Sequence, residues 1–287
     1  MHNTYIAGLN YEAEDPEQLL LRLREDQFSV PLAFDHHKIP VFLTRAELLS
    51  PGGPCVCTNQ SCEIRLENGT EARYYSLEFD GSMHVLVRSV RKQDGIHLDY
   101  VSPGGAFPLP IRQYYNCLFL ESCLLDTDAL ILHSSSILYR QRAVLFTAPS
   151  QTGKSTQAEL WRTFRGANVM NGDRNIIGKA ENGWYACGLP WHGTSPDCLN
   201  TTAPLGAVVV IRQAPVDAVR RLGPFDALRC LYSETTVNSW DTDYVNRMLD
   251  LISALTAQVP VFQLSCTMQE SAVTVLERAL SEIRVWE

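Results

Sequence analysis

At 287 residues the chain is long enough for one large domain or two small ones, and it can bury a sizeable core. A formal net charge of −8, with no cluster of Lys and Arg to form a basic stripe, argues against a nucleic-acid partner and leaves small molecules or a protein. No apolar run approaches the length that spans a bilayer, and the opening MHNTYIAGLNYEAED lacks a basic stretch followed by an apolar one, so a cytoplasmic protein without a membrane partner is expected.

Residues 1–111 read as a mainly β region punctuated by turns. Nine cysteines is an odd count, scattered singly apart from Cys55, Cys57 and Cys62, so no disulfide framework is expected in a chain this large and most read as small buried hydrophobes; CVCTNQSC has no fourth Cys or His at ligand spacing, so no zinc site is expected there. Tyr75, Leu77 and Phe79 alternate up to Asp80-Gly81, and Met83, Val85 and Val87 alternate beyond it, which predicts a hairpin. Ile96 to Val101 is a further strand candidate, and Phe107 to Pro110 reads as a connector. His36, His37, His84 and His97 have no partners at a recognisable spacing and are read as structural or exposed.

Residues 112–287 form the second region. The spacing of Tyr115, Leu118, Leu120 and Leu124 predicts a helix from Arg112 to Leu125, followed by two strands, LILHSSSILY and AVLF, around the turn YRQR. Then comes the most specific feature of the chain, the run Ala148, Pro149, Ser150, Gln151, Thr152, Gly153, Lys154, Ser155, with Thr156 opening STQAELWRTF. An apolar strand leads into it and a helical pattern leads out, the setting in which backbone N–H groups and a helix N-terminus surround the phosphates of a nucleotide. Lys154 is then expected to reach the β- and γ-phosphates and the Ser155 hydroxyl to ligate Mg²⁺. Downstream, Leu205 to Ile211 reads as a buried strand and Pro224 to Tyr232 as a helix with Pro at its start. Two amphipathic helices follow, with Tyr244, Met248, Leu251, Ile252 and Leu255 on one apolar face and Val273, Leu276, Leu280 and Ile283 on the other.

A metal held on Ser155 needs a carboxylate, and Asp173 in VMNGDRNII is the candidate, although by pattern alone it is equally a turn residue beside Asn171 and Gly172. His133 in LHSSSILY, the loop APSQTGKSTQAELW, Asp173 and Arg174 in NGDR, and GLPWHGTS from Gly188 to Ser195 together resemble the HPr kinase and ATP-dependent phosphoenolpyruvate carboxykinase superfamily, particularly its small, serine-kinase-like members. The resemblance covers roughly residues 128–270 and includes PLGAVVVIRQAP and VPVFQL. It implies an α/β (α+β) fold with a phosphoenolpyruvate-carboxykinase-like nucleotide-binding core, a His that begins the strand hairpin, here His133, and an acidic segment ending in Arg, here Asp173-Arg174. Where HPr kinases carry paired Asp residues, this chain has Gly172 and Asp173, and the family's later Glu segment is not recognisable, so HPr is not the expected acceptor.

The expected activity is transfer of a phosphoryl group from ATP, with Mg²⁺ on Ser155 and Asp173, to a hydroxyl of a peptide, a protein or a small molecule such as serine. Asp173 also orients or deprotonates the acceptor, with His133, His192 and Arg174 as helpers. In-line transfer places the acceptor over the loop, where Trp191, His192 and Thr194 would set substrate choice. Two other readings stay open. One is a nucleotide-binding regulatory or scaffold module that has lost transfer activity, motivated by the missing Asp. The other is a keto-acid carboxykinase, against which stand the short chain and the lack of a second basic cluster. A homo-oligomer also stays open.

Overall fold

The computed structural model describes residues 2–6, 9–14, 37–59, 62–101, 109, 111–189 and 196–286. Two compact units separate, Met1–Cys123 and Leu124–Glu287. The architecture is mixed α+β, with one eight-stranded sheet in each unit. Among the described residues no helix is long and apolar enough to cross a membrane.

The first unit is built on strands β1 (His2–Ile6), β2 (Leu9–Ala13), β3 (His37–Arg45), β4 (Cys55–Asn59), β5 (Cys62–Glu67), β6 (Thr70–Phe79), β7 (Ser82–Lys92) and β8 (Gly95–Tyr100), in the order β1-β2-β3-β8-β7-β6-β5-β4. The β6–β7 hairpin turns at Asp80 and Gly81, both with positive φ (54° and 69°), as a two-residue turn between twisted strands requires. The simple alternation expected along it does not hold. A bulge between Tyr75 and Ser76 sets Tyr75 opposite Val87 but Leu77 opposite His84. Adjacent residues Tyr74 and Tyr75, and Leu86 and Val87, are therefore all buried, while Met83 is exposed. The helix expected from Arg112 to Leu125 is two short helices, α1 (Ile111–Cys117) and α2 (Leu120–Leu125), broken at Phe119 with φ 50°. The cause is tertiary. Arg73 and Ser89 of the sheet donate to the Asn116 and Cys117 carbonyls at 2.8 and 2.5 Å, and the Arg73 guanidinium lies 3.9 Å from the Phe119 ring centroid. Of the expected Phe107–Pro110 connector only Leu109 is among the described residues, and His36 is outside them. His97, read as partnerless, lies 2.9 Å from an Asp94 carboxylate oxygen.

The second unit runs β9 (Ala129–Tyr139), β10 (Arg142–Thr147), α3 (Lys154–Arg165), β11 (Asn168–Asn171), β12 (Arg174–Ala180), β13 (Gly183–Gly188), β14 (Thr202–Gln213), β15 (Ala218–Arg221), α4 (Pro224–Glu234), α5 (Thr242–Gln258), β16 (Val261–Cys266) and α6 (Glu270–Glu282). Long strands β9 and β14 each change partners along their length, so pairing closes a ring through β9, β10, β14, β13 and β12. Strands β10, β14 and β16 are parallel to one another, which brings their carboxyl ends to one edge. Their apolar runs are continuous because both faces are covered. Ala143, Leu145 and Val208 pack with Leu231, Met248 and Leu255 from α4 and α5, whereas Val144, Phe146, Ala207 and Val209 pack with Trp161, Val273 and Leu276 from α3 and α6. Ile283, expected on the buried face of α6, lies just past its end and is exposed, and Val285 is buried instead.

Candidate functional site

The loop after β10 turns into α3 at Gly153, whose φ of 111° is a backbone conformation that side chains with a Cβ rarely adopt. Gln151 is also left-handed, at φ 65°. Ala148 is buried, Pro149, Ser150 and Gln151 are exposed, and Thr152 and Thr156 are half-buried. Thr152 closes a turn by donating its N–H to the Pro149 carbonyl at 3.4 Å. The Lys154 ammonium folds back over the loop and donates to the carbonyls of Ala148 at 2.9 Å and Pro149 at 3.3 Å. Only 7% of Lys154 is exposed, and burial lowers its pKa below the ordinary lysine value; the Glu234 and Asp173 carboxylates act against that and Arg174 adds to it. Ser135 of β9 donates to the Lys154 carbonyl at 2.6 Å and so ties the first turn of α3 to the strand beneath.

Ser155 donates its hydroxyl hydrogen to the Gly172 carbonyl at 3.1 Å. That bond joins the first turn of α3 to the segment bearing Asp173 and leaves the lone pairs of Oγ available to a cation. Asp173 is positioned by a turn rather than by its own strand. Buried Asn171 accepts the N–H of Asp173 at 2.8 Å and of Arg174 at 3.1 Å, and donates to the Leu189 carbonyl at 3.0 Å. The Asp173 carbonyl in turn accepts the N–H of Ser134 at 3.0 Å.

His133 Nε2 faces Asp173 Oδ1 at 3.7 Å, and on the other side of the ring Nδ1 meets Glu234 Oε2 at 3.1 Å. With the carboxylate accepting from Nδ1–H, Nε2 is left as the acceptor nitrogen of a neutral ring. Burial, then the positive charge of Lys154, lowers the His133 pKa below its ordinary value, and the bond to Glu234 only partly opposes them. Arg174 lies 3.8 Å from Asp173 and donates to Thr236 Oγ1 at 3.0 Å. The end of α4 is fixed in place by a bridge between Leu132 and Thr235 and by the Thr236 N–H donating to the Ile131 carbonyl at 2.9 Å.

Lys154, Ser155, Asp173, Arg174 and His133 are thus brought together. Trp191, His192 and Thr194 lie outside the described residues. Three members of the cluster were not singled out in the sequence: Glu234, Asn171 as the turn anchor, and Ser135. Glu234 carried a weak signal, a carboxylate as the last residue of a helix, where the macrodipole disfavours negative charge unless something nearby compensates. Among the described residues no group of three or more His, Cys, Asp or Glu side chains could hold a metal on its own. Mg²⁺ does not require one, since it binds through one or two protein oxygens together with substrate phosphates and water, and Ser155 Oγ and the Asp173 carboxylate are oxygen donors of that kind.

No protein-family profile matches the chain, and no curated protein matches it. Among solved structures, the chain is similar to the Hpr(Ser) kinase/phosphatase from Coxiella burnetii at 11% identity, with 53% of this chain and 97% of that one covered and a TM-score of 0.34.

Proposed function

We propose that this protein is an ATP-dependent phosphotransferase with a phosphoenolpyruvate-carboxykinase-like nucleotide-binding core, acting on a hydroxyl of a peptide, protein or small molecule. The observation that carries this reading is the convergence of Lys154, Asp173, His133 and Glu234 at the loop beyond β10, from positions up to 101 residues apart. The loop amides and Lys154 bind and orient the phosphates. Ser155 and Asp173 would hold Mg²⁺, which when bound neutralises charge on the phosphates. The acceptor oxygen forms a bond to the γ-phosphorus as the bond to the β-phosphate oxygen breaks, ADP departs, and the proton of the hydroxyl passes to neutral His133 Nε2. Glu234 bears on the alternative of an inactive module, because it supplies a second carboxylate where Gly172 stands in place of an Asp. Asp173 is then relieved of serving both metal and proton.

Incubation with ATP and Mg²⁺, with and without serine-type acceptors, tests this through ADP release. Lys154→Ala is expected to lower turnover roughly 10²–10³-fold, the scale of removing one electrostatic donor from a transition state. Asp173→Asn, which keeps the shape and loses the charge, is expected to lower turnover by a similar factor while weakening ATP binding far less. Wild-type turnover in either variant would refute the reading.

A further inference from the structure

Helix α4 crosses one face of the second sheet on a diagonal. It starts just after Leu222, whose N–H donates at 2.8 Å to the carbonyl of Val261 at the beginning of β16, and it ends at Glu234 beside His133 of β9. Alternation along the strands puts Val208, Val210 and Arg212 of β14 on the same face as Val261, Gln263 and Ser265 of β16. Arg220 of β15, opposite Gln263, joins them. Val208 and Val261 are buried under the helices, Val210, Gln263 and Ser265 are half-buried, and Arg212 and Arg220 are exposed. The cover thus runs out toward the corner where β14 and β16 end.

That corner is basic in a chain whose net charge is −8. Arg212 stands opposite Ser265, and Arg220 Nη2 donates to Gln263 Oε1 at 2.7 Å, which lays its guanidinium over the same face. Among the described residues no carboxylate pairs with either of them. Arg162, Arg165, Arg174 and Arg247 of the same unit, by contrast, each face a carboxylate at 3.8 Å or less. The uncovered stretch leads to the transfer site. Gln213, the residue after Arg212, donates its side-chain amide to the Thr152 carbonyl of the phosphate loop at 3.3 Å. On α4, burial raises the Cys230 thiol above its ordinary pKa, and Arg229, Asp226, Arg220 and Glu234 all act on it electrostatically, so Arg220 and Glu234 lie within reach of one side chain. Strands β9, β10, β14 and β16 are successive neighbours, and at about 4.8 Å per step β14 stands about 10 Å from β9 and β16 about 14 Å.

We propose that the phosphoryl acceptor is an acidic peptide lying extended across this uncovered face, with its hydroxyl at His133 and a carboxylate three to four residues away held by Arg212 and Arg220. The proposal rests on the phosphotransferase reading above and narrows its acceptor. An extended chain advances about 3.3 Å per residue, so three to four residues span the distance from β9 to β14 and β16. A free amino acid carries its carboxylate in the same residue as its hydroxyl and cannot bridge that gap. Guanidinium groups suit the task, since each presents a planar fork of donors that matches a carboxylate.

A peptide library degenerate around one fixed serine, incubated with the full chain, ATP and Mg²⁺ alongside free serine, tests this by mass-spectrometric sequencing of the phosphorylated members. Asp and Glu are expected to be enriched three or four residues from the phosphorylated serine, on one side of it only. A peptide carrying that Glu is expected to show a kcat/KM about tenfold above its Gln counterpart, chiefly through KM, the factor two exposed Arg–carboxylate contacts supply. In the Arg212→Gln/Arg220→Gln double variant, which changes two exposed side chains, that ratio is expected to collapse to near one. Absence of acidic enrichment at those positions, a ratio that survives the double variant, or free serine phosphorylated as fast as the best peptide overturns the proposal and leaves phosphoryl transfer standing. If neither peptide nor serine is phosphorylated while ADP is still released, the acidic peptide alone falls. If ADP release is absent as well, both readings fall.

Discussion

Burial and the neighbouring ammonium of Lys154 hold the His133 imidazole below its ordinary pKa of 6.5, and the hydrogen bond to Glu234 pulls it partway back. Glu234 therefore selects the tautomer and moderates, without reversing, the downward shift that burial and Lys154 impose on the ring. Because the folded chain binds fewer protons at His133 than the unfolded chain, this group costs no stability well above pH 6.5 and a growing amount as pH falls below it. Glu234→Gln keeps a hydrogen-bond acceptor but loses the charge that favours the imidazolium. The His133 pKa is then expected to drop further, moving the acidic limb of the turnover profile to lower pH. An NMR titration of the His133 ring alongside the pH–rate profile checks this, and a limb that stays where it was would remove Glu234 from the proton path. The strand–turn–helix passage through Ala148–Ser155 was legible in the sequence because it is contiguous and carries a backbone geometry that Gly153 marks. Glu234 was not, since it meets His133 across 101 residues and nothing local announces the meeting.

Among the elements, the two-faced burial of β10 and β14 could be read from Ala143–Phe146 and Leu205–Ile211, because a strand covered on both sides needs no polar alternation. The bulge at Tyr75 and the break at Phe119 could not. Both depend on where distant partners stand: one on the register against β7, the other on Arg73 and Ser89 claiming the last carbonyls of α1. The turn between β11 and β12 belongs to the same class, since Asn171, Gly172 and Asp173 read equally as any turn, and only the fully buried Asn171 amide gives it a direction. Asn171→Ala removes three hydrogen bonds from a buried turn and leaves the Leu189 carbonyl without that donor. A loss of about 1–3 kcal/mol in unfolding free energy is expected. Turnover should fall by more than the change in ATP affinity, because Asp173 loses its orientation rather than its charge. Chemical denaturation and ADP release measured on the same preparation check both parts, and stability lost without any loss of turnover would show that the turn does not position Asp173.

At the scale of the whole molecule, each unit carries its own sheet and its own buried residues, and the side chains for which phosphoryl transfer is proposed all lie in Leu124–Glu287. The first unit contains the most deeply buried ion pair described, Arg73 with Glu121 at 2.5 Å, their side chains 4% and 6% exposed. Arg73 also bonds Glu71 at 2.7 Å, and these carboxylates hold its pKa well above the ordinary arginine value against the cost of burial. Removing one member of such a pair leaves uncompensated buried charge, so Arg73→Leu is expected to cost about 3–5 kcal/mol. A ligand that binds only the folded second unit stabilises that unit instead, by about 2.7 kcal/mol at a hundred times its Kd. Calorimetric unfolding is then expected to resolve two transitions, the first lowered by Arg73→Leu and the second raised by ATP with Mg²⁺. The ATP affinity of Arg73→Leu should match that of the wild type below the first transition. A single transition displaced by both perturbations would mean that the two cores unfold as one, and a weakened ATP affinity in Arg73→Leu would extend the proposed site's dependence into the first unit.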